Sequence, residues 1–299
     1  MELITIWMAI GFFLAAYSVI ANDSVQTLGT WIASNNEKFK WTTMWAGASI
    51  VLLFTLWYGW TVNGGDISYG RLTKIPFVDI QWYHALAPAI LVLSAFASTF
   101  VLEKMLLKSI AGYAVAAVAA YSIWFVLSKF LNESKDVDIR HETFWRVAQW
   151  TTTGFLWFTW LSHDMANIAV FLPRQVPADL MVIISIVFVT GLAFMFKERG
   201  GKIQEIVLNK SSTKFIRSAC IIDFVYWVIL FIFKEINNIP MSTTWVFVGL
   251  LTGRELAIAA VSNKRKAKQV FPLVAKDFGR MMIGLCASVI VVIIVHNLK

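Results

Sequence analysis

Two acidic residues sit where an acid is expensive. Asp23 follows the apolar run Leu3–Ala21, and Asp164 closes a second apolar run that opens at Thr143. Asn22 precedes the first acid and His163 the second, and each acid has an amide three positions on, Gln26 and Asn167. A carboxylate inside a bilayer costs about 2.5–3.5 kcal/mol on insertion scales, so two at matched places call for chemistry. Carboxylate and amide oxygens together suit a small hard cation. A helix interrupted at such a point would add freed carbonyls for the cation and, at the start of its second half, unpaired amides suited to an anion. The plainer alternative is a helix cap at the membrane surface, where Asn and Asp are common.

Short hydroxyl and amide side chains recur around these points: Ser24, Gln26 and Thr27 after the first acid, Ser98 and Thr99 in "AFASTF", and Ser242, Thr243 and Thr244 in "IPMSTTW". Such groups can replace the water shell of an oxyanion from several sides. His163 changes charge near neutral pH and is either a proton carrier or a neutral ring giving one hydrogen bond. Asp223 and the pair Arg254 and Glu255 also lie within apolar runs; the Arg254 fork matches the edge of a tetrahedral oxyanion, but we expect it to neutralise Glu255 or Asp223 at a helix end. Cys220 and Cys286 stand alone, without the spacing of a disulfide framework or a zinc site. No Gly-rich phosphate loop is present, so an ATP-driven motor has no support in the sequence.

The elements that position these residues follow from composition. Of 299 residues, 58% are hydrophobic, with 14 Trp and 23 Phe, and the mean hydropathy is +0.67. These values predict an all-α integral membrane protein. Apolar runs near the length a spanning helix needs cover 3–21, 42–62, 84–102, 109–131, 143–161, 180–196, 215–233, 242–261 and 281–295. Val25–Ala33 and Ala166–Leu172 are too short to cross. With Glu2 and no basic cluster at the start, the first segment is expected to be retained. The net charge of +8 concentrates in loops 197–214 and 263–280, which the positive-inside rule places in the cytoplasm. It does not imply nucleic-acid binding.

The two acids are 141 residues apart, and the same offset brings Ser98 and Thr99 near Ser242 and Thr243. This predicts two related halves, 1–135 and 143–299, joined by the charged loop 136–142. Duplicated halves, each with a broken span and a site near the midplane, are a pattern of secondary transporters.

At this level the chain resembles the inorganic phosphate transporter family, whose two inverted repeats carry GAND-type motifs. "ANDSVQTLGT" (21–30) matches the first motif, with Gln26 where Asn is usual. "QWTTTGFLWFTWLSHDMANIAVFLP" (149–173) keeps the Gln, a Thr and the Asp of the second, and "PMSTTWVFVGLLTG" (240–253) matches a third. Trp160, Leu161 and His163 depart from the second motif, and Trp245 from the third. The resemblance implies a bundle of two inverted repeats with broken helices and helical hairpins, acting as a symporter of phosphate or sulfate with Na+ or H+ and no other cofactor, as a monomer or homodimer. It implies a cation site at Asn22, Asp23, Gln149, Thr152 and Asp164. Substrate would meet Ser24, Gln26, Thr27, Ser98, Thr99, Asn167, Ser242, Thr243 and Thr244. His163 in place of an Asn keeps H+ open beside the favoured Na+. Two other classes compete: an intramembrane enzyme acting on lipid phosphates, disfavoured because the acids lie far apart in sequence, and a channel or receptor on the same scaffold.

Overall fold

The structure, a computed structural model, describes residues 5–73, 79–86, 99–130, 141–201, 204, 215–236, 242–261 and 267–297. It is an all-α membrane protein. Among the described residues, six helical segments are long and apolar enough to cross a bilayer: Ile6–Asn35, Trp41–Val62, Leu107–Leu127, Ala178–Lys197, Ile216–Ile236 and Thr243–Val261. Many of their large apolar side chains point outward, as lipid-facing residues do; Tyr17, Phe13, Ile50 and Phe194 are all more than half exposed.

The first span corrects the expected interruption. Helix α1 (Ile6–Ser18), whose start is capped by the Thr5 hydroxyl accepting from the Met8 amide, runs through a π-helical turn, Val19–Asp23, into α2 (Ser24–Asn35). The Ser24 amide bonds to the Val19 carbonyl, so the chain widens by one residue without ending. No half-helix starts here with unpaired amides. The 30 residues reach roughly 45 Å at 1.5 Å per residue, and Val25–Ala33, too short alone, belongs to this span.

Helix α3 (Trp41–Val62) leads into a turn-rich segment ending near Arg71, followed by the short α4 (Trp82–Leu86). Residues 87–98, with Ser98 and most of the expected 84–102 span, lie outside the described residues. Beyond them come α5 (Thr99–Phe130), α6 (Glu142–Asp164), the four-residue α7 (Ala166–Ala169), α8 (Ala178–Lys197) and α9 (Ile216–Leu230). Helix α9 continues through a second π-helical turn, Phe231–Ile236, and α10 (Thr243–Val261) and α11 (Ala267–Asn297) complete the order. The second expected interruption is a real end of helix: α6 stops at Asp164 and α7 is only four residues long.

Packing concentrates on two pairs, α5 with α10 and α6 with α9, and α6 also packs on α2 and α3. Glycine makes the first pair close. A Cβ at Gly249 would lie 2.4 Å from the Tyr113 carbonyl oxygen, and one at Gly253 would lie 2.0 Å from that of Ala117. These are backbone atoms that cannot step aside, so the GxxxG spacing of "GLLTG" sets the approach. The core between the helices is aliphatic and aromatic, with Leu52, Trp157, Trp160, Phe171, Phe188 and Tyr226 at most 1% exposed.

Candidate functional site

Three helices hold the polar residues in register. Contacts between α6 and α9 join residues 70 apart at two levels, Thr153 with Asp223 and Asp164 with Lys234, so the helices run parallel. Helix α2 runs against them: Asn35 and Ser34 meet Gln149, while Thr30 meets Asp223. Counting from the Asn35–Gln149 contact, Asp23 is twelve residues back along α2 and Asp164 fifteen on along α6, roughly 18 and 22 Å. Both acids therefore lie at one depth, near the midpoint of the long first span.

The upper level is a closed hydrogen-bond cluster. The Asn35 amide donates to Gln149 Oε1 at 2.8 Å, Gln149 Nε2 donates to Ser34 Oγ at 2.7 Å, and Arg146 donates to Asn35 Oδ1 at 2.8 Å. Below it, Asp223 is 1% exposed and accepts from the hydroxyls of Thr30 and Thr153, the latter at 2.7 Å. Thr152 donates to the Gln149 carbonyl at 3.1 Å. This revises the expected cation cage. Gln149 and Thr152 lie fifteen and twelve residues from Asp164 on one straight helix, about 18–22 Å away, and their polar groups are spent in this cluster.

The lower level is a cavity of about 420 Å³ lined by Asp23, His163, Asp164, Asn167, Ser242, Thr243 and Thr244, with Arg71, Ser109 and Lys234. Ala166 completes the lining; seven of the ten polar residues were singled out from the sequence, and they come from three separate stretches of the chain. Asp23 is delivered by the first π-turn and carried by a relay: Gln26 donates to Asn22 at 3.0 Å, and Asn22 donates to Asp23 Oδ1 at 2.8 Å. Gln26 thus reaches the cavity only through Asn22. Thr27 turns its hydroxyl to the Asp23 carbonyl at 2.9 Å, and Ser24 is buried; neither lines the cavity. Thr99 lies in the first turn of α5.

Lys234 comes from the second π-turn and is 4% exposed; its ammonium donates to Asp164 Oδ2 at 2.7 Å. Arg71 Nε donates to the Ser162 carbonyl at 3.2 Å, at the carbonyl end of α6 where the helix dipole favours a cation. Burial pulls the Arg71 guanidinium below its ordinary value, and Glu235 and Asp164 oppose that shift. His163 Nε2 lies 2.6 Å from Glu235 Oε1 and 2.9 Å from Arg71 NH2. One nitrogen cannot donate to Glu235 and accept from Arg71 at once, so the proton on Nε2 selects the partner.

Opposite this wall, Ser242, Thr243 and Thr244 open α10, a 19-residue helix whose first amides have no intrahelical acceptor. The cavity therefore has a negative helix end on one side and a positive one on the other. The anion-suited dipole expected from the break at Asn22 comes instead from α10. Trp160, one of the departures from the family motif, donates to Thr243 Oγ1 at 3.3 Å. Arg254 donates to Glu255 at 2.8 Å, as expected for a neutralising pair.

No family model matches the chain, and neither does any curated protein or solved structure. The functional reading therefore rests on the motifs and on the cavity.

The sequence reading missed Arg71, Ser109, Lys234 and Glu235. For Lys234 the signal exists: "FIFKEI" sets two charges at the end of the apolar run 215–233, and the helix continues past them to Ile236. Arg71 lies in a turn-rich loop with no periodicity, and only the fold brings it to the cavity.

Proposed function

We propose that this membrane protein is a secondary active transporter that moves an inorganic oxyanion, phosphate in the first place and sulfate as the nearest alternative, together with Na+ or H+. The observation that carries the reading is the composition of the cavity: two carboxylates, two cationic side chains and three hydroxyls at a helix start around one space of about 420 Å³. The charges of Asp23 and Asp164 offset those of Arg71 and Lys234, so an anion alone finds Lys234 already engaged by Asp164. A cation bound at the acids releases the ammonium for the anion. Each ion then improves the site for the other, which is the reciprocity that coupling requires. In this reading the basic loops 197–214 and 263–280 face the cytoplasm.

The test is uptake of labelled phosphate into proteoliposomes under imposed Na+ or H+ gradients, competed by sulfate and arsenate. Accumulation driven by neither gradient sinks the reading, and loss of trans-stimulation in counterflow would make the chain a channel. One observation favours the enzyme reading: His163, Arg71, Lys234 and Asp164 share one cavity, so the catalytic grouping that the sequence spacing disfavours is present in space. Against it, His163 Nε2 is taken up by Glu235 or by Arg71 in either tautomer and is not presented as a nucleophile. Release of phosphate from a labelled lipid monophosphate without any gradient would decide for the enzyme.

A further inference from the structure

A second concavity, a groove of about 750 Å³, opens on the outer face between α3, α6 and α9. Its walls are aromatic. Phe54 stacks on Tyr58 at 5.7 Å along α3 and lies 6.2 Å from Phe158 of α6, and Phe155 of α6 stacks on Trp227 of α9 at 5.2 Å. These rings face outward, with Phe54 60%, Phe155 50% and Tyr58 46% exposed. Gly154 keeps the groove open, since the nearest atom to a Cβ built there is 4.0 Å away on Val51.

The lining contains one charged group among the described residues, Glu235, presented by the second π-turn. An acid at the edge of a lipid-facing aromatic groove is costly unless something positive meets it. His163 meets it on the cavity side with the Arg71 guanidinium 2.9 Å behind that ring nitrogen, and Ser162 donates at 3.1 Å, the ring and the hydroxyl both at Oε1. A carboxylate has about four acceptor sites, and the Glu235 side chain remains 35% exposed. Aromatic faces attract a cation through their quadrupoles, most strongly where water is excluded. The groove thus combines an apolar, π-rich trough with a single negative charge at its end.

We propose that this groove binds a lipophilic monovalent cation, a hydrophobic amine or onium ion, with its charge against Glu235 and its apolar substituents on the aromatic walls. A bilayer acyl chain fits the apolar walls alone and has no use for the carboxylate. The site is separate from the cavity but shares a wall with it, because the carboxylate that would receive the cation is the one holding His163. Its occupancy therefore bears on the His163–Arg71 contact.

The test is equilibrium binding of labelled tetraphenylphosphonium to the purified full-length chain in a neutral detergent, with tetraphenylborate as the probe of equal shape and opposite charge. Saturable binding of the cation and none of the anion is expected. Glu235→Gln should weaken the cation about tenfold or more, the scale of one partly desolvated ion pair, since the rings stay in place. Gly154→Leu, which fills the trough without touching Glu235 or the cavity, should abolish saturable binding. Equal binding of tetraphenylborate, or unchanged affinity in a folded Glu235→Gln or Gly154→Leu variant, would overturn the proposal. Should Glu235→Gln fail to fold, Gly154→Leu and Phe155→Ala decide it alone.

Discussion

Lys234→Gln removes the ammonium that holds Asp164 and leaves the carboxylate beside Asp23 on the same cavity wall. The two partners are 4% and 15% exposed, at 2.7 Å. Removing one partner of a buried pair costs about 3–5 kcal/mol, mostly because the other charge stays uncompensated. Asp164 faces the cavity, where water reaches it, so the lower end applies: about 3 kcal/mol. At roughly 2–4 °C per kcal/mol for a chain of this size, the melting temperature should drop by about 6–12 °C. The double variant Asp164→Asn with Lys234→Gln removes both charges and should recover most of that loss, giving a coupling energy of about 2 kcal/mol or more. Thermal unfolding of the purified variants, followed by intrinsic tryptophan fluorescence, measures both quantities. A Lys234→Gln chain as stable as the parent, or strict additivity in the double variant, refutes the pairing and with it the argument that a cation must release Lys234. A further arm separates structure from function. If the acids bind a cation, Na+ should stabilise Lys234→Gln more than the parent, because no ammonium competes for Asp164.

Asp23→Asn should leave melting within about 1 kcal/mol of the parent, since the carboxylate's side-chain bond is to Asn22 alone among the described residues and one such bond contributes little net, yet proteoliposome uptake against a gradient should vanish. Gly253→Leu should lower the melting temperature or prevent folding, because its Cβ would meet the Ala117 carbonyl at 2.0 Å and overpacking costs about 1–3 kcal/mol even where neighbours can adjust; a stable variant would show that α5 and α10 are farther apart. Glu142, bridged by Lys38 and Arg146, is held below its ordinary value of 4.5 by their hydrogen bonds. Its contribution to stability is complete above that value and is lost as pH falls through the lower folded-state value, so the acid side of a pH–melting profile should flatten in Glu142→Gln.

Sequence periodicity was a good guide to what lipid dictates and a poor one to what the third dimension dictates. Trp41–Val62 and Thr243–Val261 were legible to within a residue or two because the bilayer sets both their length and their composition. The 30-residue first span reads as two pieces in the sequence, since Asn22 and Asp23 look like a stop when a helix is strictly α. The π-turn absorbs the polar pair and lets the backbone stay fully bonded. Motif spacing groups Gln149 with the acids because it counts residues along the chain, whereas fifteen helical residues are a separation of roughly 22 Å. Helical rise, not motif order, decides what a residue can touch.

The same geometry bears on how two ions would share one site. Helix α6 ends at Asp164 with its carbonyl pole toward the cavity, while α10 begins there with its amide pole. A cation is drawn to the first end and an oxyanion to the second, and Lys234, now on Asp164, stands between the two roles. Were the first span broken at Asn22, as an interrupted helix would be, both poles would arise from one kink and move together. Here they belong to helices from different parts of the second half of the chain, and Asp23 reaches them from a continuous helix of the first half. On the reading proposed above, the carboxylates and the hydroxyls of Ser242, Thr243 and Thr244 can therefore separate only if α10 shifts relative to α6. Among the described residues, Trp160 of α6 holds Thr243 Oγ1 against such a shift, and Tyr226 of α9, which packs on α6, donates to the Thr243 carbonyl at 3.1 Å. Both bonds end on Thr243, so each must break or travel with the start of α10 when the cavity opens.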